Sequence, residues 1–164
     1  SKILSFTEKT IHHENWKYRQ ASIRAFSILL IGLPEERSQA LVNSSLLELV
    51  ALLNDPKQHV QLSAIRSLSL ITEEVPEVIL NHNKLLEILD FVMKMGQSEV
   101  FLKHVAKIVD NLTIPEESTK VLGPHSGPMI EVFLGFCLES GRSGLSVGSC
   151  MNVIINLIKC SRSP

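Results

Sequence analysis

Three times along this chain an apolar residue is followed by proline and then glutamate, at an interval that hardly changes. Leu33-Pro34-Glu35-Glu36, Val75-Pro76-Glu77 and Ile114-Pro115-Glu116-Glu117 place their prolines 42 and 39 residues apart. Proline in the first position of a helix loses no hydrogen bond, and acids in the first turn suit the positive end of the helix dipole. Each copy therefore announces a new helix, and the chain restarts about every forty residues. An alternating β pattern of useful length appears nowhere.

Each interval holds two helical patterns. Leu46, Leu47, Leu49, Val50, Leu52 and Leu53 form a dense apolar helix that stops at Asn54-Asp55-Pro56, where Asp55 is a candidate N-cap and Pro56 the first residue of the next helix. Along that next helix Val60, Ala64, Leu68 and Ile71 fall on one face of a 3.6-residue period. Ile23-Arg24-Ala25-Phe26-Ser27 precedes Ile65-Arg66-Ser67-Leu68-Ser69 by 42 residues, with apolar, Arg, small, apolar and Ser in the same order. The third pair breaks at Gly96, restarts at Ser98 and carries Val105, Ile108 and Leu112. The fourth pairs 129–138 with Val147, Cys150, Val153, Ile154 and Leu157 across Gly141-Arg142-Ser143-Gly144. Four helical hairpins result, near 1–33, 34–75, 76–114 and 115–164. The expected fold is all-α, an α-α superhelix of the HEAT or armadillo kind in a single array, because stacked hairpins hide apolar surface on two sides. The stretch 113–128, with Pro115, Gly123, Pro124, Gly127 and Pro128, reads as the one long irregular connection; a short helix near 117–122 is the alternative.

Composition narrows function by exclusion. Lys and Arg number 16 against 17 Asp and Glu, a net charge of −1 without the basic excess that suits a nucleic-acid binder. No uninterrupted apolar run reaches the ~18–20 residues of a membrane span, so membrane insertion is not expected. The chain opens on Ser1 and closes on Pro164 just after an apolar stretch, which reads as a piece of something longer. Cys137, Cys150 and Cys160 lie in apolar surroundings without metal-ligand spacing and read as buried thiols of a reducing compartment. His12-His13-Glu14 is the densest titratable cluster, but adjacent helical residues point ~100° apart and do not readily share a metal. No catalytic or cofactor motif is present, and neither an enzyme nor a bound cofactor is expected.

Asn15-Trp16-Lys17-Tyr18-Arg19-Gln20-Ala21, with Ala25-Phe26 and Gly32, resembles a segment of the importin-β (karyopherin-β) nuclear transport receptors. The likeness continues through Ser38-Gln39, Leu41-Val42, 46–53, Asp55-Pro56 and Ile71 to Pro76-Glu77. It returns in Leu145-Ser146-Val147 and Lys159-Cys160-Ser161. It implies a middle portion of such a receptor, in which the second (B) helix of each hairpin lines a concave wall. It further implies a protein cargo or importin-α-like adaptor as partner, with Ran GTPase and Phe-Gly nucleoporins contacting the full-length receptor. Residence in cytoplasm, nucleus and nuclear pore would follow. The family often opens its B helices with Arg-Asp, where Arg19-Gln20 and Gln61-Leu62 stand here. Arg66 and Ala106 occupy places that match tryptophans gripping a basic adaptor arm, and Lys103 a neighbouring asparagine; Trp16 remains as a packing residue. These positions offer a basic arm neither an aromatic face nor a carboxylate.

They offer cations instead. Arg24 and Arg66 are equivalent in the repeat, and Lys103 and Lys107 lie near the corresponding stretch of the third hairpin, so these four are the candidate protein-binding residues, facing an acidic segment. Ordinary solvated charge is the alternative. At the level of the whole protein, the alternative is a HEAT scaffold of another complex, such as a phosphatase scaffold, a coat trunk or a condensin-like subunit.

Overall fold

Apolar spacing of three and four residues becomes helix almost everywhere in the computed structural model, which describes residues 9–139 and 141–162; none of the described residues is in a strand. Residues 1–8, the opening of the hairpin expected at 1–33, lie outside them. The chain divides into two compact units, 1–78 and 79–164.

In the first unit α1 runs Trp16–Gly32, α2 Glu35–Ala51 and α3 Gln58–Glu74, with a 3-10 turn at Leu52–Asn54 between the last two. Asn15 caps α1 by accepting the Lys17 amide at 3.0 Å. The helix stops at Leu33, which Pro34 forces into extended backbone (φ −98°, ψ 149°). Pro34 is the N-cap of α2, one position earlier than the sequence suggested, and Glu35 and Glu36 occupy the first turn. The expected start of α3 requires correction. Asp55 and Lys57 remain extended, and the helix begins two residues after Pro56. Asp55 accepts the Lys57 amide at 2.8 Å in a local turn and is held by another residue described below.

The three helices share one core. Ile23, Phe26 and Leu30 of α1 and Leu46 and Leu49 of α2 are buried with Val60, Ala64, Leu68 and Ile71 of α3, the face that the period picked out. Burial of each large aliphatic side chain contributes about 1.5–3 kcal/mol. Leu47, in the same apolar run, is 47% exposed and faces away. The packed surfaces of α1 and α3 carry small polar residues where they meet: Ser27 Oγ donates to Ser67 Oγ at 3.1 Å, and Gln20 Nε2 to Ser63 Oγ at 3.2 Å. Short side chains let these two helices lie side by side.

Pro76 opens a five-residue helix, α4 (Pro76–Leu80), within which the division between units falls. The second unit contains α5 (Leu85–Met95), α6 (Glu99–Leu112), α7 (Ser118–Leu122), α8 (Ser126–Leu138) and α9 (Gly144–Arg162). The 113–128 connection is mostly helical rather than irregular: α7 is followed directly by a 3-10 turn at Gly123–His125 and then by α8. Pro115, expected to open a helix, instead lies in a bend three residues before α7, while Pro124 and Pro128 sit in opening turns, where no helical hydrogen bond is lost. Helices α8 and α9 form a hairpin, and α9 also lies along α6. Leu102, Val105, Val109, Phe133, Val153 and Leu157 are buried between them.

The helical run 118–138 and α9 are long and apolar enough, by length and composition alone, to cross a membrane. Counting uninterrupted apolar runs overlooks them because serine, glycine and asparagine break the runs. Cys150 and Cys160 are buried as expected; Cys137 is only half-buried. Burial beside Cys137 pushes the Cys150 thiol up to about 12, which keeps it protonated and inert at neutral pH.

Gly96 ends α5 with the Phe136 ring against it, and an added Cβ would meet that ring at 2.8 Å. The ring is not free to retreat, since Phe133 packs edge-on at 5.6 Å and the Arg142 guanidinium lies 5.8 Å from its centroid. Gly96→Ala is expected to destabilise the chain by about 1–3 kcal/mol, read as a lower urea midpoint at unchanged slope; an unchanged midpoint would show that the ring yields.

Candidate functional site

The site begins with what holds the B helices (α1, α3, α6 and α9) in place. In the first unit Arg19, in the first turn of α1, reaches the turn before α3. Its Nε donates to Asp55 Oδ2 at 2.7 Å and its Nη2 to Asp55 Oδ1 at 2.9 Å. Its Nη1 donates back to the carbonyls of His13 and Glu14 at 2.7 and 2.8 Å. One guanidinium thus ties two successive turns together, with Asp55 3% and Arg19 13% exposed. The Asp55 bond raises the Arg19 pKa further. Burial alone would raise the Asp55 carboxyl, but Arg19 and the Lys57 amide outweigh it and hold the group below its ordinary value. Gln61, 42 residues after Arg19, repeats part of this: its Nε2 donates to the carbonyl of Asp55, six residues back, as Arg19 does to that of His13.

The second unit builds the same device with the charges exchanged. Glu99 opens α6, and the arginine comes from the turn before α9. Arg142 Nη1 donates to Glu99 Oε2 at 3.3 Å, and Nη2 donates to the carbonyls of Gly96 and Gln97 at 3.2 and 2.8 Å and to the Glu139 carboxylate. Ser143 and Ser146 hydroxyls donate to Glu99 Oε1 at 2.9 and 2.5 Å. Those hydroxyls, with Arg142, hold the Glu99 carboxyl down at about 2. Neither member of this pair was singled out from the sequence for a role; an arginine flanked by glycines in an inter-helix turn is the signal that was there to use.

Between the B helices so fixed lie grooves, and the candidate residues open onto them. In the first unit a groove of about 380 Å³ is lined by Gln20, Arg24, Ser27 and Ile28 of α1 and Ser63 and Arg66 of α3. The 42-residue equivalence thus becomes a shared wall, with both arginines exposed. In the second unit Lys103 and Lys107 of α6, also exposed, line a separate groove of about 210 Å³ with Ala106, Asp110, Ser149 and Asn152. Asp110 accepts Asn156 Nδ2 at 2.7 Å and brings a negative charge into this second groove. Trp16 is half-buried and stacks on His59, with ring centroids 5.4 Å apart, the packing role expected of it. His13 accepts the Asn15 amide at 3.0 Å and stacks on Tyr18, while His12 lies 3.7 Å from Glu48. Among the described residues no group of three or more His, Cys, Asp or Glu is placed to hold a metal ion.

Residues 16–71 match the HEAT-like repeat family. Yeast importin-β (Kap95p) superimposes with a TM-score of 0.84 over 98% of this chain at 17% identity. A structure in which Kap95p binding switches the loops of RanGDP to the GTP-bound conformation gives 0.85, also over 98% and at 17% identity. A Kap95:Nup1 complex gives 0.83 over 96% at 17% identity. The fold is the importin-β HEAT-repeat fold. This chain spans 19% of the length of each of those three chains. No curated protein matches it.

The two charged staples make separate predictions. Arg19→Ala leaves Asp55 buried and unpaired and is expected to cost about 3–5 kcal/mol in urea unfolding, whereas replacing both residues by apolar ones of similar size should cost much less. Equal losses would mean that packing, not charge, carries the effect. Glu99 titrates lower in the folded chain than the ordinary 4.5, so its contribution is complete above about pH 4.5 and disappears as pH falls toward 2. The gap in urea midpoint between wild type and Glu99→Gln should therefore narrow over that window. A gap independent of pH would rule out the staple as its source.

Proposed function

We propose that this chain is a segment of an importin-β family nuclear transport receptor, one array of four hairpins whose B-helix face receives a protein cargo or an importin-α-like adaptor. The observation that carries the reading is the agreement of fold over 98% of the chain with yeast importin-β, joined to the Asn15-Trp16-Lys17-Tyr18-Arg19 stretch at the start of α1. Arg24 and Arg66 in one groove and Lys103 and Lys107 in the other are the contact residues. Flexible stacked hairpins present a long wall of B-helix grooves, so a partner is held by many modest contacts rather than in one deep pocket. That geometry suits an adaptor that must release what it carries.

Release belongs to the whole receptor. The related Kap95p structures are of complexes with RanGDP and with Nup1, and the proposal extends Ran and Phe-Gly nucleoporin binding to the full-length parent of this chain, working between cytoplasm and nucleus through the pore. No catalytic step and no cofactor enter this mechanism.

The test is a pull-down with the full-length protein, with and without Ran-GTP. Proteins retained without Ran-GTP and lost in its presence are the expected result, together with retention on Phe-Gly peptide beads. A full-length protein indifferent to both would shift the assignment to a HEAT scaffold of another complex.

A further inference from the structure

The groove between α1 and α3 differs from an ordinary charged surface in how its hydrogen-bonding capacity is used. Ser27 donates to the Ile23 carbonyl and Ser67 hydroxyl, and Ser63 to the His59 carbonyl. The Gln20 amide nitrogen donates to Ser63 and to the His59 carbonyl. The donors of Gln20, Ser27 and Ser63 are therefore engaged within the protein, and those of Arg24 and Arg66 are not. Neither guanidinium has an ion-pair or hydrogen-bond partner among the described residues, and no carboxylate lines the groove. Beside them Ile28 is 72% exposed and Ile31, three residues on along α1, is 64% exposed. Two planar donors with no internal acceptor stand next to uncovered aliphatic surface.

From this we infer that the α1/α3 groove binds an extended acidic peptide segment, one carboxylate on each of Arg24 and Arg66 and an apolar side chain against Ile28. A guanidinium takes a carboxylate through two parallel hydrogen bonds, which gives the pair direction as well as charge. Packed helices lie about 8–10 Å apart, and an extended chain in the polyproline II form returns to the same face every three residues at a rise of about 3.1 Å each, so acids about three residues apart span the two arginines. Nucleic acid fits less well. The net charge is −1, and the nearby tryptophan already stacks on His59, leaving the groove no aromatic face for a base. The inference deepens the assignment of the B-helix face to partner binding and rests on it.

Fluorescence anisotropy with the complete 164-residue chain tests it, using a labelled peptide of glutamates about three apart with leucines between. Saturable binding that weakens with salt is expected. Arg24→Glu and Arg66→Glu should each reduce affinity at least about tenfold, and the double variant should lose the glutamate peptide yet bind its lysine counterpart. Both positions are exposed, so folding is preserved; Arg24→Gln with Arg66→Gln gives the same loss without introducing new charge. Equal binding of a glutamine-substituted peptide, unchanged affinity in the variants, or tighter binding of a single-stranded oligonucleotide at the same salt would each overturn the inference. Peptide binding is read without Ran, so its failure leaves the cargo-release result standing, and the converse also holds.

Discussion

Everything that the B helices present depends on how the turns before them are held. A HEAT hairpin has no sheet to fix the register of its neighbour, so interdigitated side chains and bonds between turns must do so. Here a guanidinium bridges successive turns in each unit, Arg19 to Asp55 and Arg142 to Glu99, and in both cases it also binds two carbonyls of the earlier turn. Directional bonds at the ends of the helices add to the packing along their length. The net gain in stability from such pairs is small compared with apolar substitutes, but the penalty for misplacing one is large. That asymmetry suits a part whose task is alignment.

Alignment in turn decides what the grooves are. Because Arg19 sets α1 against α3, Gln20 and Ser63 meet, Ser27 and Ser67 meet, and the polar lining of the groove satisfies itself. Arg24, five residues after the staple, is left over, as is Arg66 across the groove. The free donors are thus a by-product of good packing around them. In the second unit Asp110 shares the groove with Lys103 and Lys107, so that wall carries mixed charge where the first carries only cations.

Much of the architecture could be read before any coordinates because it lies within single helices. The Val60, Ala64, Leu68 and Ile71 face is set by spacing alone, and the equivalence of Arg24 and Arg66 by a 42-residue offset that brings them to one groove. What escaped depends on partners far along the chain. Asp55 before Pro56 has the pattern of an N-cap; it accepts the Lys57 amide in a turn ahead of the helix instead, and its charged partner stands 36 residues earlier. Arg142 and Glu99 are 43 residues apart, and nothing local announces that they meet. The 113–128 stretch differs from its composition for another reason. Pro124 and Pro128 occupy opening turns, where they are harmless, and composition does not disclose position within a helix.

The exchange of charge between the two staples bears on how the molecule assembles itself. The first hairpin offers a cation to its successor and the second receives it with an anion; the third offers an anion and the fourth receives it with a cation. Were the fourth to dock after the first, arginine would confront arginine, and the second after the third would bring glutamate onto aspartate. Near-identical modules invite such errors while the chain is collapsing. Within each unit the exchanged charges therefore act against those two like-charge pairings and leave the observed partner favoured.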